Sequence, residues 1–204
     1  EMNIIIGDVD RPLIIKVASI SSARIQVYFI DNEDYFRRKQ TFCDAGGKFF
    51  EDNDERAIFF ARGVLETVKK LRWAPDVIHC QGWISHLVPV YLKKAYNPIF
   101  SNSKVVLSLY DDTPEADFCP TFADKACFGA VKKEDLGLLE KPDGINLART
   151  AAQYSDGVIL GAADVKPEIV SWCKELGLPV LPFNAAALED GSYVDEYCGF
   201  YDEL

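Results

Sequence analysis

Two stretches of this sequence combine side chains that can do chemistry with positions that would expose them. In His79-Cys80-Gln81-Gly82-Trp83, an apolar run gives way to a helical pattern. His79 falls where the run leaves the core, Gly82 permits a tight turn, and Trp83 adds a large flat ring. A sugar needs hydrogen bonds for its hydroxyls and an apolar surface for its C–H face, and His and Gln beside an aromatic plane supply both. The same residues also suit a strand cap followed by a core tryptophan. The second stretch is Asp52, Asn53 and Arg56 at the start of a helix, where free backbone N–H groups can hold an anion or a hydroxyl. Asp52 is equally explained as the N-cap, with Glu55 completing a capping box. The adjacent acids Asp111 and Asp112 follow Tyr110 and open a long polar loop. They could do acid–base work or be solvated. There is no GxGxxG, Walker loop, metal-spaced His/Cys set or GxSxG elbow, so neither a metal nor a cofactor is expected.

These residues need a scaffold, and hydrophobic periodicity supplies one. Asn3–Gly7, Leu13–Ser19 and Arg24–Ile30 read as strands, the last two as a hairpin about Ser21-Ser22. Glu55–Arg72 is the strongest helix, with Ile58, Ala61, Val64, Leu65, Val68 and Leu71 along one stripe. Pro75 stops it. Strands at Asp76–Cys80, Lys104–Tyr110, Gly157–Gly161 and Val180–Pro182 then alternate with helices at Trp83–Tyr96, Gly144–Tyr154 and Lys166–Leu176. A short helix is expected near Phe122–Phe128 and an aromatic-rich one in the tail after Asp190. This alternation predicts an α/β, Rossmann-like three-layer domain with a mainly parallel sheet and helices on both faces. In such a domain ligands bind beyond the carboxyl ends of the strands. Here those ends are His79–Trp83, Tyr110–Asp112 and Gly161–Asp164.

The 204 residues suit a single domain, and 49% apolar content fills a substantial core. A net charge of −10 repels nucleic acid and anionic membranes but not a neutral polymer. No apolar run approaches a membrane span and no signal peptide is visible. The six cysteines form no CxxC pair, and several lie in apolar runs. They are expected to be mostly buried thiols of a protein in a reducing, cytoplasmic setting.

Taken in order, Asp31-Asn32-x-x-Tyr35-Phe36-x-Arg38, Asp52-Asn53-x-x-Arg56 and Pro75-Asp76-Val77-Ile78-His79-Cys80-Gln81-Gly82-Trp83 resemble the N-terminal domain of bacterial glycogen and starch synthases. Ala151–Gly161 is similar to a later strand of that domain, and the likeness covers roughly residues 24 to 170. The resemblance implies one half of a GT-B enzyme, two Rossmann-like domains facing across a cleft. Such enzymes move glucose from ADP-glucose to the 4-hydroxyl of an α-1,4-glucan. It implies His79 as the catalytic residue and Asp52, Asn53, Arg56, Gln81, Gly82, Trp83, Tyr110 and Asp111 as substrate contacts.

The sequence also departs from the family pattern. The Lys-x-Gly-Gly-Leu loop is not present and is expected in a missing N-terminal segment. The His-x-His pair reads His79-x-Gln81, and the Thr-x-His-Asn strand end reads Ser108-Leu109-Tyr110-Asp111. Residues 171–204 are too few for a second Rossmann-like domain, and the basic clamp for the leaving ADP belongs to that half. The expectation is therefore one domain over 1–204 without the sugar-nucleotide domain. It would bind α-glucan or maltooligosaccharide, bind ADP-glucose weakly or not at all, and transfer glucose weakly or not at all alone. The alternatives are a glucosyltransferase completed by a missing segment or a partner chain, and a non-catalytic interaction scaffold.

Overall fold

A computed structural model describes residues 2–204. The first three strands, β1 (Met2–Ile6), β2 (Val9–Ile20) and β3 (Ile25–Asp31), form an antiparallel meander. Its inner face sets Ile4, Ile6 and Leu13 against α2 (Asn53–Lys70), the helix read from the apolar stripe. Gly63 is what lets α2 sit so close. A Cβ there would stand 2.8 Å from Ile30 and 3.2 Å from Leu13. Arg62 also reaches across to the Ile5 carbonyl.

The second sheet is fully parallel, in the order β4 (Val77–Gln81), β5 (Lys104–Leu109), β6 (Gly157–Leu160) and β7 (Val180–Leu181). Strands taken consecutively with right-handed crossovers put all connecting helices on one face. On that face Cys80, Val105, Leu107 and Val158 join the main core with α3 (Val88–Lys94), α6 (Gly144–Gln153) and α7 (Pro167–Glu175). The opposite face carries Val106 and Ile159 and is covered by Tyr197, Phe200 and Tyr201 of the last helix and by Leu204 just after it. The short α1 (Glu33–Phe36), α4 (Asn97–Phe100), α5 (Phe122–Ala126) and α8 (Ala185–Asp190) complete the chain with that last helix, α9 (Tyr193–Glu203).

The α/β class, the parallel sheet and the helices on both faces match the sequence expectation. The opening strands, however, form a sheet of their own. The helix expected over Trp83–Tyr96 is broken, with a 3-10 turn at Trp83–Ser85 before α3, which has Pro89 in its first turn. The aromatic-rich tail helix forms as expected at α9, and the short α8 before it was not among the expected elements. Of the six cysteines only Cys80 and Cys173 are buried, whereas Cys198 is exposed and the others lie between. The expectation of mostly buried thiols is corrected accordingly. Among the described residues, no helix is long and apolar enough to cross a membrane.

Candidate functional site

Positions 79 and 81 share one face of β4, because strand side chains alternate. His79 points under α9. Its Nδ1 lies 2.6 Å from the Tyr201 hydroxyl and its Nε2 2.6 Å from the Ser108 hydroxyl. The rings of Tyr197 and Tyr201 meet it edge-on, with centroids 5.9 and 5.7 Å away. Burial lowers its pKa below the usual histidine range, so the ring is neutral at pH 7. A neutral imidazole has one N–H and one lone pair, and here both are engaged by hydroxyls. This leaves His79 no free nitrogen for a substrate proton. The ring thus bridges two strands and the last helix.

The carboxyl end of β4 is tied to its neighbours by backbone and ring contacts. Gly82 adopts φ +78°, a conformation that favours glycine. The turn aims the Trp83 N–H at the Asp112 carboxylate, 2.9 Å away. Gln81 is exposed and accepts a 3.3 Å hydrogen bond from the Tyr110 hydroxyl. The Tyr110 ring lies against Gly161, where a Cβ would overlap it. Gln81, Gly82, Tyr110 and Asp112 are thus brought together at one strand-end rim. Asp111 is exposed beside them, and its neighbour Asp112 makes the structural contact.

Trp83 presents almost none of its ring, although it touches the floor of the adjoining cleft. It is 3% exposed and packs against Phe42, Phe49 and Phe118 at centroid distances of 4.7, 6.0 and 5.5 Å. A stacking role for its face is corrected to a core role. The rings that do border solvent are Phe42 and Phe49, both half-buried. With Gly47, Asp112, Pro114 and Glu115 they line an open cleft of about 410 Å³, within the usual range for small-ligand sites. Sequence reading missed both phenylalanines, which lie in a Gly-containing loop with no periodicity. Only the Phe42-Cys43 and Phe49-Phe50 pairs marked that loop as more than polar.

The cluster at the start of α2 holds this loop in place. Asn53 and Arg56 are buried, and the Asn53 side chain donates to the Phe42 carbonyl at 2.9 Å. Arg56 donates to the carbonyls of Tyr35 (2.8 Å) and Thr41 (2.7 Å) and to the Asn53 side chain (2.6 Å). Its guanidinium also sits over Phe36, Phe42 and Phe50. Burial, and next the charge of Arg38, lower its pKa, yet an arginine stays charged at any ordinary pH. Asp52 makes no side-chain capping bond, because Arg38 takes its carboxylate at 2.8 and 2.5 Å. The expected capping box is therefore absent. Asn53 and Arg56 frame the cleft from behind and do not line it.

Below them, the fully buried Asp54 carboxylate pairs with Lys125 at 2.5 Å, and Tyr35 donates to Glu55 at 2.9 Å. Burial raises the Asp54 pKa, while the bond to Lys125 opposes the rise. This charged layer joins α2 to α5. Among the described residues, no group of three or more His, Cys, Asp or Glu could hold a metal ion. A wider cleft of about 560 Å³ lies between β7, α8 and α9, away from the strand-end rim. Of its polar lining, Asn184 and Glu196 already bond each other at 2.7 Å.

The family profile of the starch synthase catalytic domain matches residues 2–178. Glycogen synthase of Chlorobium limicola is 34% identical over 161 residues, covering 76% of this chain and 32% of the relative. Its counterpart in Chlorobium phaeobacteroides is 35% identical over 159 residues, covering 72% and 32%. The chain therefore spans about a third of the length of these relatives. Among solved structures, the catalytic domain of starch synthase IV from Arabidopsis thaliana, bound to ADP and acarbose, aligns with a TM-score of 0.65. That alignment has 15% identity and covers 89% of this chain and 38% of the other, a likeness that speaks for the fold alone. With the profile spanning residues 2–178, most of its length, the chain belongs to the starch synthase catalytic-domain family.

Proposed function

We propose that residues 2–204 act as one domain that holds an α-1,4-glucan chain in the cleft beside β4 and β5, as the acceptor-side part of a glycogen-synthase-type protein. One observation carries this reading: the cleft lining combines Phe42 and Phe49 with the carboxylates of Asp112 and Glu115 and includes no lysine or arginine. Aromatic rims with hydrogen-bond acceptors suit a neutral sugar. A sugar nucleotide brings a pyrophosphate, which calls for cationic or N–H donors. The domain on its own accordingly holds glucan and releases ADP-glucose, and its transferase activity alone is weak or nil.

The length of the relatives favours a second reading on the same site. Both are named glycogen synthases and are about three times as long as the part matched. Further polypeptide could supply the donor site and complete a glucosyltransferase around this same wall. Calorimetric titration with maltoheptaose, with ADP-glucose as the comparison, tests the proposal. Heat from the glucan alone is expected, with affinity reduced about tenfold in Phe49→Ala, the scale of losing one aromatic contact. A folded domain that binds neither ligand would overturn the glucan reading and leave the interaction scaffold in its place.

A further inference from the structure

We propose that the glucan does not end at this cleft but runs over Phe49 into a second one, so that the domain discriminates between short and long chains. The inference rests on the glucan reading above and extends it to polymer length. The second cleft is about 440 Å³ and is lined by Lys48, Phe49, Phe50, Asp117, Cys119 and Pro120, among others. Phe49 and Ala116 line both clefts, so the two adjoin with Phe49 on their common border.

The floor is fixed before any ligand arrives. Phe118 is buried beneath this border, 5.5 Å from Phe49 and 5.5 Å from Trp83 between centroids. The Phe50 ring is covered by the Arg38 guanidinium at 4.6 Å, which Asp52 holds in turn. A rigid, ring-lined trough avoids ordering costs on binding. The polar groups stand at its edge, where sugar hydroxyls would meet them. Lys48 and Glu51 pair at 2.9 Å with side chains 70% and 85% exposed, and Asp117 is exposed opposite. One cation against two carboxylates gives no net attraction for an anionic ligand, and the chain as a whole carries −10. An uncharged, hydroxyl-rich polymer longer than the first cleft is the occupant this lining fits.

The test compares maltotriose with maltoheptaose by calorimetry on the intact chain and on Lys48→Ala/Asp117→Ala. Both altered side chains are exposed, and removing a surface ion pair has little effect on stability. On the unaltered chain, maltoheptaose is expected to bind at least about tenfold more tightly than maltotriose. The double variant should lose about threefold to tenfold for maltoheptaose, the scale of one or two hydrogen bonds, and nothing for maltotriose. Equal affinity for both sugars, or a double variant that keeps the full difference, overturns the second cleft while leaving the first intact. An unaltered chain that binds neither sugar overturns both readings together.

Discussion

His86 makes this domain sensitive to acid in a way that can be worked out from its surroundings. It follows the 3-10 turn Trp83–Ser85, is 3% exposed, and neither ring nitrogen has a hydrogen-bond partner. Full burial drives its pKa down from 6.5 to about 3. The folded-state value is thus depressed below the unfolded one. Stability is fully present above pH 6.5 and is lost as the pH falls toward 3, because the unfolded chain takes up a proton that the folded chain refuses. At about 1.4 kcal/mol per pH unit, a drop to pH 4.5 costs about 2.7 kcal/mol from this one ring. Replacing it by leucine removes both the titration and an unsatisfied buried polar group. His86→Leu should therefore match or exceed the original stability at pH 7, and its advantage should grow by about 2.7 kcal/mol at pH 4.5. Urea unfolding of both proteins at the two pH values measures this gap. Parallel losses in the two proteins would refute the reasoning, since carboxylates common to both would then account for the whole acid response.

Two further substitutions probe the frame of the cleft. Arg56→Lys keeps the charge but cannot bridge Tyr35, Thr41 and Asn53 at once, so a loss of about 2–3 kcal/mol in chemical denaturation is expected. A loss below half a kilocalorie would mean the loop stands without its clamp. Gly144→Ala would place a methyl 2.6 Å from the Pro114 carbonyl. Backbone must then move, with a cost of about 1–3 kcal/mol and a shifted cleft wall. An unchanged urea midpoint would contradict that contact.

The sequence made some of this plain and concealed the rest, for identifiable reasons. The α2 stripe repeats over five turns, so periodicity gives its bounds to within two residues. Strands β4, β5 and β6 are short apolar runs between polar punctuation, and a parallel sheet buries such runs on both sides. Periodicity says nothing about which strands share a sheet, so it shows the hairpin of β2 and β3 but not that the meander stands apart from the parallel sheet. Trp83 fits a sugar platform and a core equally well, and only the convergence of Phe42, Phe49 and Phe118 from distant segments decides between them. Local sequence makes Asp52 a cap, but Arg38, 14 residues earlier, competes for its carboxylate. His79 is engaged by a tyrosine 122 residues away, a pairing that no local pattern encodes.

That distance also bears on how the domain is made. A chain emerges from the ribosome amino end first, so β4, β5 and β6 are complete well before residues 193–203 exist. Throughout that interval Val106 and Ile159 lack the cover of Phe200. The nascent sheet then offers one apolar face to whatever is nearby, a recognised route to misassembly. The half-buried His79–Ser108–Tyr201 hydrogen-bond chain sits on that face. Before Tyr201 arrives, His79 has only its bond to Ser108, and its free Nδ1 disfavours a purely apolar partner over a helix bearing a correctly placed hydroxyl. Gly157 adds a steric key, since a Cβ there would stand 2.9 Å from both Phe200 and Leu204. The last helix is thus admitted by fit as well as by hydrophobicity, and its synthesis marks the moment at which the sheet is sealed.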